Sequence, residues 1–344
     1  MNDAVEGSIC LLPHMRGVGG PSSFRGRLAA GLQARGYEVH SDPLDPSCRS
    51  MLVIGGTRRL DRVWRARRRG VRVVQRLNGM NWLHRKIKTG WKHYLRSEIN
   101  NWLLTTIRGS LADAVVYQSQ FARTWWQTVH GATSAPGQVI YNGVDLNVFS
   151  PQGAGARPTD FYRVLMVEGH LAGGYEQGLE AGVQLVRELN RFMPLPVRLT
   201  VAGDVADGLR ARWQQVAGEV IEWKGVVPGA EIPILDRSAH LLFSADLNAA
   251  CPNAVIEALA CGLPVVAFST GSLPELIDGD AGRVVPYGSN YWNLEKPDVA
   301  TLAAAASQIL MDQEVFRVAA RARAKAVFGL DVMVEKYLAA IRGQ

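Results

Sequence analysis

Short apolar segments of strand length alternate with segments of helical character along this chain, in two successive series. The first series has its apolar segments at residues 8–12, 51–54, 71–74, 113–117 and 138–141, and the second at 162–167, 197–203, 220–223, 240–243 and 263–267. Such alternation indicates parallel sheets with helices on both faces. Because 344 residues can bury two cores, we predict two doubly wound α/β domains.

The segment between the two series, residues 151–158, is rich in Gly, Ala and Pro and is the best candidate for a linker. We therefore predict a first domain over residues 1–152 and a second domain over residues 158–328. No apolar run approaches the roughly 18 residues of a membrane-spanning helix, and the acidic N-terminus does not resemble a signal peptide. The four cysteines lack metal-ligand spacing. We expect a soluble, cytoplasmic protein.

Positive charge is concentrated in one segment. Between Arg58 and Arg96 there are fourteen Lys/Arg and one acid, a local charge of +13 in a chain of net charge +7, so the remainder carries −6. This segment fits a solvated helix, or attraction to an anionic membrane at the inner membrane face. Nucleic-acid binding is the least favoured interpretation because no recognised motif accompanies the charge, and we expect no nucleic-acid partner.

The most informative stretch runs over residues 244–279. It predicts a strand end, a turn at Cys251, Pro252 and Asn253, a short helix carrying Glu257, a buried strand and a glycine-containing loop. A proline and small polar residues at the start of a helix leave backbone N–H groups and a positive dipole end free for an anion. A carboxylate one turn inside that helix can accept hydrogen bonds from sugar hydroxyls.

This stretch resembles the donor site of family-4 retaining glycosyltransferases of the GT-B fold. The resemblance is carried by EALACGLPVV at residues 257–266 and TGSLPE at residues 270–275. It implies two Rossmann-like domains facing each other across a cleft. It also implies a C-terminal helix, about residues 329–344, that returns to the first, acceptor-side domain, whereas the second domain binds the nucleotide sugar.

The resemblance assigns donor-site roles to several residues. Glu257 corresponds to the glutamate that binds the nucleotide ribose, and Cys251, Pro252 and Asn253 face the donor sugar or its phosphates; Asn253 is alternatively an ordinary helix cap. In the first domain, Gly19 and Gly20 form a loop that approaches phosphate or, alternatively, only a tight turn.

Two positions depart from the family pattern. The first glutamate of the family pair, eight residues before Glu257, is replaced by Ala249. The expected Gly-Arg and following Lys, which offset the diphosphate charge, are replaced by Gly169 and His170 with no Lys. A diphosphate would raise the pKa of His170, and Gly173 and its neighbour offer backbone N–H groups as a substitute anion site, although His170 is alternatively a plain loop residue.

The family's catalytic residues are matched incompletely. Its His-Gly after the fourth strand corresponds to Asn78-Gly79, and Asn78 can contact a sugar hydroxyl but cannot accept a proton; its alternative is a turn residue. Six of the nine tryptophans lie in the first domain, where most are expected to pack in the core, and Trp82 is the candidate for acceptor contact. No paired-carboxylate arrangement of the glycosidase kind can be placed from the sequence.

We therefore predict a retaining glycosyltransferase that transfers a sugar from a nucleotide-diphosphate sugar, most simply UDP- or GDP-linked, to a hydroxyl acceptor. The nucleotide sugar is a co-substrate, and we expect no further cofactor and no metal, because no Asp-x-Asp motif follows a strand. A non-catalytic or partner-dependent sugar-nucleotide-binding subunit is the alternative, which the changes at Ala249 and His170 motivate. A sugar-nucleotide epimerase would need catalytic carboxylates that the sequence does not reveal.

Overall fold

The computed structural model describes residues 8–15, 19–88, 90–171 and 176–344. The chain divides into two compact units, Met1–Gly143 with Leu330–Gln344, and Val144–Gly329. Among the described residues, each unit contains one parallel sheet of six strands, and helices lie between most successive strands. The predicted doubly wound α/β fold is therefore confirmed.

The sheet of the first unit has the strand order β2-β1-β3-β4-β5-β6. Its strands are β1 (Ser8–Leu12), β2 (Val39–His40), β3 (Cys48–Ile54), β4 (Arg72–Leu77), β5 (Ala114–Tyr117) and β6 (Gly137–Val139). Its helices are α1 (Gly20–Gln33), α2 (Leu60–Arg68), α3 (Trp91–Thr106), α4 (Gln120–His130) and α12 (Leu330–Arg342). A 3₁₀ turn at Leu83–Arg85 precedes α3, and a π-helical turn at Ile107–Leu111 follows it.

The strands of this sheet are apolar on both faces, which is why helices cover both. Ile9 and Leu11 of β1 pack in a cluster with residues of α1 and α12. Cys10 and Leu12, which alternate with them, pack in a second cluster with Val63 of α2 and with the π-helical turn. Successive side chains of a strand point to opposite faces, so continuous apolar runs indicate a sheet buried on both sides.

The last helix, α12, belongs to the first unit. A Cβ atom built on Gly31 of α1 would lie 2.5 Å from Cγ2 of Val334, so a glycine allows the two helices to approach closely. Arg35 at the end of α1 forms ion pairs with Asp331 and Glu335 of α12, at 3.0 and 2.6 Å. The last helix in the sequence therefore packs in the first unit, although it follows the whole second unit along the chain.

The sheet of the second unit has the strand order β12-β11-β10-β7-β8-β9. Its strands are β7 (Tyr162–Leu171), β8 (Val197–Val205), β9 (Ile221–Gly225), β10 (Leu241–Ser244), β11 (Val265–Phe268) and β12 (Gly282–Val285). Its helices are α5 (Glu176–Leu189), α6 (Asp207–Ala217), α7 (Ile232–Arg237), α8 (Asn253–Ala260), α9 (Leu273–Leu276), α10 (Val299–Met311) and α11 (Gln313–Val327).

The division between the units falls at Gly143 rather than at residue 152. Residues 144–158 pack within the second unit because arginines from distant helices bind their carbonyl oxygens. Arg237 donates to the carbonyls of Ser150 and Ala154, at 3.1 and 2.5 Å. Arg321 donates to those of Leu146 and Phe149, at 2.9 and 2.8 Å. The segment predicted as a linker, residues 151–158, is thus part of the second unit.

Candidate functional site

The second sheet reverses its direction of growth beside β7. From β7 the chain adds β8 and β9 on one side, and it then returns to add β10, β11 and β12 on the other. β7 and β10 are therefore neighbours, with Leu241 paired to Val164 and Leu242 to Leu165. In doubly wound sheets, ligands bind where the strand order reverses, outside the carboxyl ends of the strands. The candidate site of this unit lies at that edge.

The helix α8 begins at this edge. It follows β10 after a loop of eight residues, and Pro252 is its N-cap with no side-chain cap. Asn253 is the first residue of the helix rather than its cap, so the alternative role as an N-cap is not observed. The N–H groups of the first turn have no partners within the helix, and the positive end of the helix dipole lies among them.

Glu257 lies one turn into α8 and is 9% exposed. Burial and then the negative charge of Glu257 raise the pKa of Asp236 well above its usual range. Burial, and then Asp236, raise the pKa of the Cys261 thiol. Glu257 is thus buried close enough to a second acid, Asp236, to influence its titration. Burial of this kind is common at sites where a charge has a binding role.

The loop before α8 is held by the loop before α9. The N–H of Ser272 donates to the carbonyl of Ala249 at 2.9 Å. A Cβ atom built on Gly271, which has φ +57°, would lie 2.6 Å from the nitrogen of Ala249. Ala249 therefore lies where the backbones of two loops approach each other closely. It contributes a carbonyl oxygen there and no side-chain charge.

Two carboxyl groups that were not predicted as site residues lie at the reversal point, which is the place beside β7 where the strand order reverses. Glu168 lies in β7, beyond Leu165, and Asp246 follows the end of β10; both residues are half-buried. Burial raises the pKa of Glu168 well above its usual range, and Asp246 raises it further. Burial also raises the pKa of Asp246, to about 6. Burial and the charge of a neighbouring carboxylate both favour the protonated form of an acid, here most strongly that of Glu168.

Unpaired polar groups accompany this pair of acids. Asn248 is 4% exposed, and neither atom of its amide has a hydrogen-bond partner among the residues that the structure describes. Its φ of +59° is a left-handed conformation that Asn tolerates. The hydroxyl of Ser272, also buried, has no partner within the same described residues. Buried polar groups are nearly always paired, so these atoms suit a ligand or water.

The predicted anion loop is only partly described. Gly169 is exposed, and a Cβ atom built on it would have nothing within 4 Å. The backbone of His170 pairs with Asp204 of β8. The His170 side chain and Gly173 lie outside the described residues, so their predicted roles stay predictions.

In the first unit, a cavity of about 600 Å³ lies at the carboxyl ends of β1, β3 and β4. Its polar lining includes His14, Thr57, Arg58, Arg59, Asn78, Asn81 and Asn100. The oxygen of the Asn78 amide is buried without a hydrogen-bond partner among the described residues, whereas the Asn78 carbonyl accepts from Nε1 of Trp126 at 2.7 Å. Asn78, with this buried acceptor atom, thus shares the cavity lining with Arg58 and Arg59.

The remaining predicted residues lie around this cavity or away from it. Gly19 is the N-cap of α1 and Gly20 its first residue, both exposed, and the adjacent Pro21 lines the cavity. Trp82 is half-buried before the 3₁₀ turn and is not among the lining residues. The structure thus brings Asn78 to the cavity and Gly20 beside it, but it does not bring Trp82 there.

No cluster of three or more potential metal ligands occurs in the described part of the chain. No helix among the described residues is both long and apolar enough to cross a bilayer.

Comparison with known sequences finds a family match within the second unit. Residues 163–312 match the family described as glycosyl transferases group 1. A segment of 153 residues is 29% identical to a phosphatidylinositol N-acetylglucosaminyltransferase subunit from Arabidopsis thaliana. This segment covers 44% of the present chain and 33% of that relative.

Solved structures are similar over nearly the whole chain. Sucrose-phosphate synthase from Thermosynechococcus elongatus has a TM-score of 0.70 at 15% identity, covering 99% of this chain and 97% of that one. HepE from Anabaena, solved with UDP and glucose, has a TM-score of 0.70 at 16% identity, covering 98% and 100%. WaaG, a glycosyltransferase of lipopolysaccharide biosynthesis, has a TM-score of 0.70 at 14% identity, also covering 98% and 100%. Residues 163–312 thus match a glycosyl transferases group 1 domain, in a chain with the fold of GT-B glycosyltransferases.

Proposed function

We propose that this protein is a family-4-type retaining glycosyltransferase. It transfers a sugar from a UDP- or GDP-linked donor to a hydroxyl acceptor. The observation that carries the proposal is the position of Glu257, buried one turn inside a helix that starts where the strand order reverses. An uncapped helix start suits a diphosphate, and a buried carboxylate one turn away suits the two hydroxyls of a ribose.

Similar proteins support a nucleotide-sugar donor. HepE was solved in complex with UDP-glucose, and the pneumococcal O-GlcNAc transferase GtfA in complex with UDP and GlcNAc. GtfA has a TM-score of 0.61 at 16% identity, covering 86% of this chain and 57% of that one. We therefore expect uridine nucleotides to be the first donors to test, with guanosine nucleotides as the alternative.

The chemical step needs no protein nucleophile. The acceptor oxygen forms a bond to the anomeric carbon on the face from which the diphosphate leaves, while the bond from that carbon to the diphosphate oxygen breaks. The leaving phosphate oxygen takes the acceptor proton, so charge and atoms balance. The protein binds and orients both substrates, and its dipoles stabilise the leaving charge.

The carboxyl pair at the reversal point has a defined role in this proposal. Glu168 and Asp246 both have raised pKa values, so a protonated carboxyl is available to donate a hydrogen bond to a phosphate or sugar oxygen. In this arrangement no metal is needed, and chelation with EDTA leaves turnover unchanged. A requirement for Mg²⁺ would show instead that the two ionised carboxylates and the diphosphate share a cation.

A partner-dependent subunit is the second candidate function. It is favoured by the name of the Arabidopsis relative, which is one subunit of a transferase, and by Ala249 in place of a carboxylate. The deciding experiment incubates the purified chain with UDP- and GDP-sugars and identifies every product by mass spectrometry. Transfer or slow donor hydrolysis would support the glycosyltransferase function. An epimerised sugar would show instead that the protein is an isomerase. Nucleotide binding without any product would support the partner-dependent role.

A further inference from the structure

The outer face of α3 carries an apolar stripe, and Glu98 is the one charged residue that lies within its arc. At 100° per residue, its members fall within about 140° of the helix circumference. They are Trp91 (73% exposed), Tyr94 (47%), Leu95 (51%), Ile99 (41%) and Trp102 (60%). Three of the five large aromatic side chains exposed in the described part of the chain belong to this one helix. Exposed apolar residues are common singly, but a stripe of this kind marks a surface that binds something.

The inner face of the same helix already has its partners. Ser97, Asn101 and Leu103 are buried against the first unit. Asn100, Leu103 and Leu104 line the 600 Å³ cavity. The apolar stripe therefore does not belong to the core of the unit, and α3 separates the cavity from the stripe.

The charges beside the stripe are positive. Lys92 and Arg96 lie on the exposed N-terminal half of α3, and Lys88 precedes it. The single acid of the helix, Glu98, accepts hydrogen bonds from Arg85 at 2.7 and 2.8 Å and contacts Nε2 of His84 at 2.7 Å. These partners hold the pKa of Glu98 at about 2, so its charge is already compensated.

The basic helix α2 differs from α3, because acids compensate most of its positive charges. Its arginines are largely compensated, since Arg62 pairs with Asp42 at 3.3 Å, Arg65 with Asp61 at 2.5 Å and Arg67 with Asp113 at 3.1 Å. The basic segment is thus not uniform. At α3, exposed positive side chains lie beside several exposed apolar side chains, whereas α2 exposes one large apolar side chain, Trp64.

We propose that the outer face of α3 docks this protein onto an anionic lipid bilayer, with the helix lying in the plane of the interface. Tryptophan and tyrosine are enriched at the depth of lipid head groups, and flanking Lys and Arg add attraction to anionic lipid. A second copy of the chain would place like charges opposite one another, because Lys92 and Arg96 border the stripe. A bilayer matches both the apolar stripe and its positive border.

Vesicle flotation tests the proposal on the full chain without nucleotide, so the outcome does not depend on the proposed transferase activity. The probes are vesicles of phosphatidylcholine alone and vesicles containing about 30% phosphatidylglycerol, a composition chosen to give a negative surface. We expect flotation with the anionic vesicles that weakens as salt rises. Partition that is independent of anionic lipid would overturn the proposal.

Two double variants separate the two contributions. Trp91→Ser with Trp102→Ser is expected to weaken partition by more than about tenfold. Lys92→Gln with Arg96→Gln is expected to weaken it by about fivefold per cation on anionic vesicles only. The matched control is Phe192→Ser, which removes a side chain that is 56% exposed in the second unit.

The control variant should float like the wild type. Equal partition of all variants would contradict the assignment to α3. A dimer of the free protein in light scattering, abolished by Trp91→Ser with Trp102→Ser, would instead identify the stripe as a self-association surface and would also overturn the proposal.

Discussion

Replacing Asp246 with Asn removes the titration of a carboxyl group whose pKa is raised by burial at the reversal point. Asp246 and Glu168 lie at the ends of adjacent strands, and burial raises the pKa of Asp246 from 3.8 to about 6. An acid whose folded pKa exceeds its unfolded value contributes stability that is fully present below the unfolded pKa. That contribution is lost as the pH rises through the folded pKa. Asn at this position does not titrate and removes this dependence.

The expected change in stability follows from the size of the pKa shift of Asp246. A rise from 3.8 to about 6 corresponds to about 3 kcal/mol at neutral pH. About 1 kcal/mol of this is already lost near pH 4.5, so the window from about pH 4.5 to about pH 8 contains about 2 kcal/mol. Because Asp246 is half-buried, solvent screening reduces the expected change to about 1–2 kcal/mol.

The assay is urea unfolding of the wild type and Asp246→Asn across that pH window. The free energy of unfolding of the variant, relative to wild type, should rise by about 1–2 kcal/mol from low to high pH. The matched control is Asp160→Asn, which replaces an exposed aspartate of the same unit and should follow the wild type at every pH. A parallel pH dependence of wild type and Asp246→Asn would refute the raised pKa of Asp246.

Two further predictions concern the backbone that supports the site. Gly203→Ala should destabilise the protein by about 2–4 kcal/mol in urea unfolding, because Gly203 has φ +148° and a Cβ atom there would collide with the carbonyl of Glu168. Its control is Gly208→Ala in helix α6, which has open space around it and should leave the free energy of unfolding unchanged or raise it by up to about 1 kcal/mol. Arg321→Met should lower the free energy of unfolding by about 2–4 kcal/mol, because Arg321 donates to three carbonyls that include Ala260 at the end of α8. Lys325→Met, an exposed change on the same helix, is its control, and equal stability of the two variants would contradict this role.

Local patterns predicted most of the fold. The apolar runs that became β1, β4, β7 and β10 are continuous because both faces of each sheet are covered, and such runs are visible in a single sequence. The short helix after β10 and the position of Glu257 within it also follow from local residues, although the sequence predicts Asn253 in the turn or as the cap and the structure makes it the first residue of the helix. These features depend on neighbours within a few positions, which sequence patterns record.

Features that depend on distant residues could not be predicted. The pairing of Glu168 with Asp246 requires the order of β7 and β10 in the sheet, although each acid visibly follows an apolar run. The packing of residues 144–158 requires Arg237 and Arg321. Likewise, six tryptophans lie in the first domain by sequence, but only the structure shows that Trp126 is buried and Trp91 is exposed.

Calorimetric titration of UDP and GDP into the wild type and Glu257→Gln tests the central claim most directly. The variant keeps the shape of the side chain but removes its charge, so the affinity should fall by about tenfold to a hundredfold, as expected for lost charge-assisted hydrogen bonds. Glu219→Gln, an exposed change in the same unit, should bind like the wild type. Wild-type affinity in Glu257→Gln, with an unchanged free energy of unfolding, would contradict the assignment of Glu257 to the nucleotide.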